Sequence, residues 1–192
     1  MRYSRDHKQE THNRIVQKAS ERFRAEGVDA VGVASLMQSV GLTVGGFYAH
    51  FGSKEDLIAE ACSSGFAGTI ERFRAYIDSK PKGEKMASLV DAYLSKRHRD
   101  DPAQGCVIAA NGAELARHPV PTRAAFSAEL GTWVALIEQV MREDGVRGDA
   151  RSIISTMVGA IVLARAVDDS TLSDAFLTSA RQSVLGNLIH VS

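Results

Sequence analysis

Thr43, Val44, Gly45, Gly46, Tyr48, His50 and Lys54 lie within one short stretch of the chain. Together they offer a hydroxyl, bare backbone, a phenol, an imidazole and an amine. That set suits contact with phosphate oxygens and base edges, because small residues at the start of the stretch let the backbone come close while the donors position it. A second chemistry is available at Cys106, a thiol that could act as a nucleophile with His98 or His118 as its base. His98 sits in Lys96-Arg97-His98-Arg99, which reads as a solvated helix end, and His118 precedes a proline in a loop. No Gly-rich phosphate loop, metal-ligand spacing or paired-carboxylate pattern accompanies them.

The first set needs a frame. Val33, Leu36, Met37 and Val40 recur at helical spacing and predict a short amphipathic helix that ends at Gly41. Thr43 is a good N-cap for a second helix, predicted over Thr43 to His50, so the region 32–51 reads as helix, turn, helix. Two adjacent glycines cost roughly 1 kcal/mol each in a free helix, so tertiary support must hold them. Phe47 and Phe51, four residues apart, can supply it by burying one face and leaving Tyr48 and His50 outward. Upstream, Ile15, Val16, Ala19 and Phe23 predict a helix from about Asp6 to Glu26, closed by Gly27. Its leading arm carries Arg2, Arg5, His7 and Lys8.

The run Gly46-Phe47-Tyr48-Ala49-His50-Phe51-Gly52-Ser53-Lys54-Glu55-Asp56-Leu57 resembles the signature of the TetR family of transcriptional regulators. The likeness covers roughly the first third of the chain, and the rest agrees in length and helical character. It implies an all-α fold: a three-helix DNA-binding domain over 1–54, then a larger helical effector-binding and dimerisation domain over 55–192. It also implies that Thr43, Val44, Gly45 and Tyr48 face the major groove or its flanking phosphates, with Lys54 touching a phosphate. Family members often carry a polar or basic residue where Gly45 stands, so direct base readout is expected to be sparse and shape readout larger. The implied function is that of a homodimeric repressor on a palindromic operator, released by a small-molecule or thiol-reactive effector. An activator, or a thiol enzyme built on Cys106, is the alternative.

Charge is distributed to match. Through Lys54 there are eight basic and five acidic residues, while the remainder is acidic by the same margin and the whole chain is neutral. A locally basic face fits the phosphate contribution to DNA affinity. With 192 residues, 44% hydrophobic and 24% charged, the chain is long enough for one sizeable core and a small satellite. It has no apolar run long enough to span a membrane and no N-terminal apolar stretch after a basic start, so a cytoplasmic location is the expectation. There, Cys62 and Cys106 are expected to be reduced, and no metal or other cofactor is expected.

Beyond the motif the sequence reads as successive helices, without strand-like alternation, interrupted at 80–83, 100–102, 118–121, 145–148 and 168–170. A helix from Ser53 to about Ser79 connects the two units. Ile153 to Val167 is apolar or small on most sides and should be buried on most sides. The last helix carries a broad stripe through Phe176, Leu177, Ala180, Val184, Leu185 and Leu188. In the family this pair forms a four-helix bundle with a second subunit. For the effector, Tyr93, Phe126, Trp133 and Cys106 are the candidate contacts with Asn111 and Arg165 as polar anchors, alongside Phe66, Phe73, Tyr76 and Met157. Arg165 is a lone charge on an apolar helix, suited also to pairing with Asp168 or Asp169. Cys106, placed in the first turn of a helix, is expected to have a lowered pKa. The Gly105-Cys106 pair before an apolar helix is similar to the NemR-like subgroup, which implies electrophile sensing.

Overall fold

Glycines set where the first helices stop. Gly27 and Gly41 take the left-handed conformation, at φ 94° and 74°, that side chains disfavour. The computed structural model describes residues 5–190; Arg2 and the side chain of Arg5 lie outside what is described. Helix α1 (Arg5–Glu26) ends where the Gly27 amide donates to the Phe23 carbonyl. Helix α2 (Val33–Ser39) follows, and the Leu42 amide closes its end on the Met37 carbonyl.

The second helix of the motif is shorter than the spacing predicts. Helix α3 is the single turn Val44–Phe47, and Tyr48 to His50 continue as turns, with the His50 and Phe51 amides both bonded to the Phe47 carbonyl. Gly45 and Gly46 explain this, since they contribute little helix propensity and no side-chain packing of their own. Phe47 and Phe51 are buried, as their spacing predicts. Ser53 caps helix α4 (Lys54–Asp78) by accepting the Asp56 amide.

Among the described residues the remainder is mainly helical, with one pair of two-residue strands that two helices separate in the chain. Helices α5 (Lys85–Tyr93) and α6 (Lys96–Asp100) are separated by a break at Leu94 and Ser95 that the sequence reading misses. A 3₁₀ turn, Pro102–Gln104, leads to α7 (Val107–Leu115), α8 (Val120–Asp144), α9 (Ala150–Ala166) and α10 (Ser170–Gly186). Strands β1 (Val146–Arg147) and β2 (Ile189–His190) pair antiparallel, an addition too short to leave an alternating pattern. Among the described residues no helix is long and apolar enough to cross a membrane, and no cluster of His, Cys, Asp and Glu could hold a metal.

Helix α4 serves two cores. Leu57, Ile58, Ala61, Cys62 and Phe66 pack with α1 to α3, whereas Ile70 and Ile77 pack with α5, α8, α9 and α10. The first core therefore continues past residue 54, and Val107 and Leu115 of α7 close it. At the crossing of α1 and α4, a Cβ on residue 65 would run into Arg24 Nη1 and lie 2.6 Å from Ser20 Oγ and 2.7 Å from Val107 Cγ2. Only glycine fits that approach. Gly68, one turn on, would place a Cβ at an ordinary 3.6 Å from Arg72 Nη1. Gly65→Ala should therefore destabilise the fold by about 1–3 kcal/mol through overpacking, while Gly68→Ala should stabilise it by up to about 1 kcal/mol through helix propensity. Denaturant midpoints of the two variants test this, and equal shifts would refute it.

Candidate functional site

The exposed face of the α2–α3 unit carries Thr43, Val44, Gly45 and Tyr48, the last 69% exposed with its ring edge-on to Phe47 at 5.2 Å. Thr43 holds the N-cap position, but its hydroxyl makes no capping bond, which leaves it free for an outside partner. A Cβ at Gly45 or Gly46 would meet nothing closer than 3.7 Å, so the protein's own packing does not require either glycine.

Two residues of this set also have surroundings inside the protein. His50 is turned partly inward: its ring lies 5.9 Å from His12 and 6.2 Å from Phe51, and Nδ1 is buried without a partner. Desolvation, with the nearby His12 and Lys8, lowers its pKa, so it offers the outside no dependable positive charge. Lys54 donates to the Val28 carbonyl at 3.0 Å, which ties the start of α4 to the loop after α1. One of its three donors is thus committed inside the protein.

The effector candidates separate more sharply. A cavity of about 440 Å³ opens between α4, α5, α6 and the 101–106 loop, lined among others by Arg72, Phe73, Tyr76, Arg97, His98 and Cys106. Tyr93 and Trp133 lie behind it in the core, fully buried, with Phe73 packed on Trp133 at 5.2 Å. The Tyr93 hydroxyl faces the Cys106 thiol, and the Trp133 indole N–H has no hydrogen-bond partner. Asn111 is no anchor for this cavity. It is buried at the junction of the two units and donates to the Phe23 carbonyl at 2.6 Å, completing the end of α1. Phe126 likewise faces the first core, edge-on to Phe66 at 5.5 Å. Arg165 pairs with neither Asp168 nor Asp169; it donates to the carbonyls of His98 and Arg99, capping the exposed end of α6.

Cys106 occupies the N-cap position of α7 and is 2% exposed. Burial raises its pKa, outweighing the Tyr93 hydroxyl, the Ala109 and Ile108 amides and the charge of Arg165. The helix N-terminus thus fails to produce the lowered pKa expected from position alone, because desolvation of a thiolate is the larger effect. Cys62 is buried too, its thiol pushed up to about 12.

His98 is the residue the sequence undervalues. Its Nε2 accepts the Cys106 amide at 2.9 Å, and its Nδ1 lies 2.6 Å from the Tyr93 carbonyl, so the ring is the neutral Nδ1–H tautomer. Burial foremost, then the charges of Arg165 and Arg72, push its pKa down to about 4 against the bond to Tyr93. His98 therefore bonds the backbone of Cys106 and gives its thiol no base, while His118 is engaged by Glu55 at 3.1 Å. Arg72, Thr69 and Gln104 also border the cavity. Arg72 and Gln104, at exposed helix and loop positions, give no periodic signal that would distinguish them from solvated surface.

Comparison with known proteins agrees with this architecture. Residues 15–61 match the bacterial regulatory proteins of the tetR family, and residues 83–180 match the tetracyclin repressor-like C-terminal domain. The chain belongs to the TetR family, whose members are transcriptional regulators and not enzymes. The transcriptional regulator AcuR of Cereibacter sphaeroides is 25% identical over 147 residues, covering 72% of this chain and 64% of AcuR, somewhat less than two thirds of that relative. A TetR transcriptional regulator from Chloroflexus aurantiacus superposes with a TM-score of 0.75 at 25% identity, over 94% of this chain and 97% of the other. The reduced form of E. coli NemR superposes at 0.79 with 18% identity, over 95% and 99%, a likeness of fold alone.

The neutral His98 ring has a measurable consequence. Its folded pKa lies below the unfolded value of about 6.5, so its contribution to stability is complete above that pH and is lost as pH falls toward 4. Chemical denaturation between pH 7 and 4 should show the wild type losing up to about 3 kcal/mol more than His98→Asn across this window. Parallel profiles for the two proteins would refute the assignment.

Proposed function

We propose that the protein is a cytoplasmic, homodimeric transcriptional repressor that binds a palindromic operator through α2 and α3 and leaves it when a small molecule fills the 440 Å³ cavity. The observation that carries the DNA-binding half is the arrangement of α3. Phe47 and Phe51 anchor the turn from inside while Thr43, Val44, Gly45 and Tyr48 stand exposed on its outer side. A short helix held in this way can lie in a major groove with its glycines against the backbone.

Dimerisation is supported by what the monomer leaves uncovered. On α9, Ser155, Val162 and Leu163 are exposed and Gly159 is half-buried, at helical spacing, with Leu172 exposed at the start of α10. Nothing in the chain comes within 4 Å of a Cβ at Gly159, so a second helix has room to approach there. Two recognition helices must stand about 34 to 36 Å apart to enter successive major grooves, a spacing that a dimer sets.

Release has a short physical route. The loop that walls the cavity is bonded to the DNA-binding unit at Ala103, whose carbonyl accepts from Arg24 of α1 at 2.8 Å, and to α4 through Arg72 and the Gln104 carbonyl at 2.7 Å. An occupant that favours another loop position biases where α1 and α4 sit, and with them α3. Because the Cys106 thiol is buried, a non-covalent occupant is the effector we favour over a thiol-reactive one.

Binding of the purified protein to its own upstream intergenic DNA, at two salt concentrations, tests the reading. Selective, salt-sensitive binding is expected, weakened about tenfold or more by Tyr48→Ala; no selective binding to any genomic fragment would overturn it. Val162→Glu should shift sedimentation to the monomer and weaken operator binding with it, and an unchanged dimer would exclude the α9–α10 face.

A further inference from the structure

Four arginines from four helices converge on the 101–106 loop. Arg24 of α1 bonds the Ala103 carbonyl, Arg72 of α4 bonds the Gln104 carbonyl and the Thr69 hydroxyl, and Arg165 of α9 bonds the carbonyls at the end of α6. Arg97 of α6 is exposed on the cavity lining. None of the four joins an ion pair among the described residues, although Arg99 beside them pairs with both Asp100 and Asp174. Carbonyl oxygens orient Arg24, Arg72 and Arg165 without neutralising them. The charge stays positive.

The acid among the residues lining the cavity, Asp101, is turned back on its own loop to accept the Gln104 amide. Arg72 and Arg97 face the same space, and Arg24 and Arg165 stand behind the loop. Burial makes the charge of Arg24 costly, and repulsion from Arg72 adds to that cost. A nearby anion relieves both effects. Phe73 and Tyr76 supply the apolar part of the wall.

We infer that this cavity takes a small organic anion, its charged head between Arg72 and Arg97 and its apolar body on Phe73 and Tyr76. This rests on the cavity being the effector site proposed above and adds the chemical class of the effector. It also gives Arg72 a role in release. The guanidinium that meets the anion is the one that holds the Gln104 carbonyl, so binding competes with the bond fixing the loop to α4.

Displacement of the fluorescent anion 8-anilinonaphthalene-1-sulfonate tests the inference on the whole protein. Competitors share one apolar body and differ in the head: hexanoate, hexyl phosphate, hexanol and hexylamine. At least one of the two anions should compete about tenfold or more better than hexanol and hexylamine, as expected where charge-assisted hydrogen bonds hold the head. Which anion is stronger identifies a carboxylate or a phosphate head. The double variant Arg72→Gln/Arg97→Gln should lose that preference and Arg72→Lys/Arg97→Lys should keep most of it. Equal competition by hexanol, or an undiminished preference in the Gln variant at an unchanged unfolding midpoint, would overturn the anion site. The wild-type competition decides the matter even if a variant fails to fold. Operator binding measured with the same compounds separates the two readings: an anion that binds but leaves operator affinity unchanged removes the effector role and leaves the anion site standing.

Discussion

The close approach of α1 to α4 at Gly65 is the contact from which most of the arrangement follows. With no Cβ at 65, Arg24 can lie across α4 and reach the Ala103 carbonyl. That single side chain touches the helix under the recognition turn, the helix shared by both cores and the loop that walls the cavity. The Ser20 hydroxyl accepts from Arg24 Nη1 at 2.6 Å, which fixes the guanidinium's direction. A buried cation held only by neutral oxygens is costly to desolvate, so its place depends on every one of these partners being present. Moving the loop therefore has consequences for α1 that a slack surface contact would not have.

Around that crossing, backbone groups at the ends of the short elements are satisfied by side chains from the other unit. Asn111 takes the Phe23 carbonyl and Glu114 accepts the Val28 amide at 2.9 Å, both from α7, at the place where α1 stops. Lys54 takes the Val28 carbonyl from the other side. The loop between α1 and α2 is thus clamped by α7 and α4, and the small recognition turn, with its two glycines, inherits its position from them. Its own propensity could not supply it. Side chains of α4 and α7 consequently fix the loop that precedes α2 and α3.

The cavity shows the opposite use of polar groups. His98 is kept neutral so that one ring can accept the Cys106 amide and donate to the Tyr93 carbonyl, stitching α5, α6 and α7 together at the cavity wall. The arginines near it, Arg72 and Arg165, are hydrogen-bonded to neutral oxygens and join no ion pair among the described residues. A neutral, fully satisfied imidazole next to unpaired guanidiniums makes a wall that is rigid in hydrogen bonds and positive in field. Cys106, between them, is shielded by burial, and its helix N-terminus is too weak an influence to overcome desolvation.

What the sequence determined by itself was local. Helix periodicity, the glycine stops at 27 and 41, the burial of Phe47 and Phe51 and the exposure of Tyr48 follow from spacing and backbone chemistry within a few residues, which is information a linear chain carries. Helix α3 is shorter than the spacing predicts because two glycines weaken a helix in a way that periodicity does not register. Tertiary structure alone decided the partners: Asn111 went to the α1 end, Arg165 to the α6 carbonyls, Lys54 to Val28, and His98 to the Cys106 amide. Each of these depends on which groups long-range packing leaves unsatisfied, and a buried donor or acceptor must take whatever partner that packing presents. Arg24, Arg72, Arg97 and Arg165 are far apart in the chain, so their convergence on one loop exists only once the helices are packed.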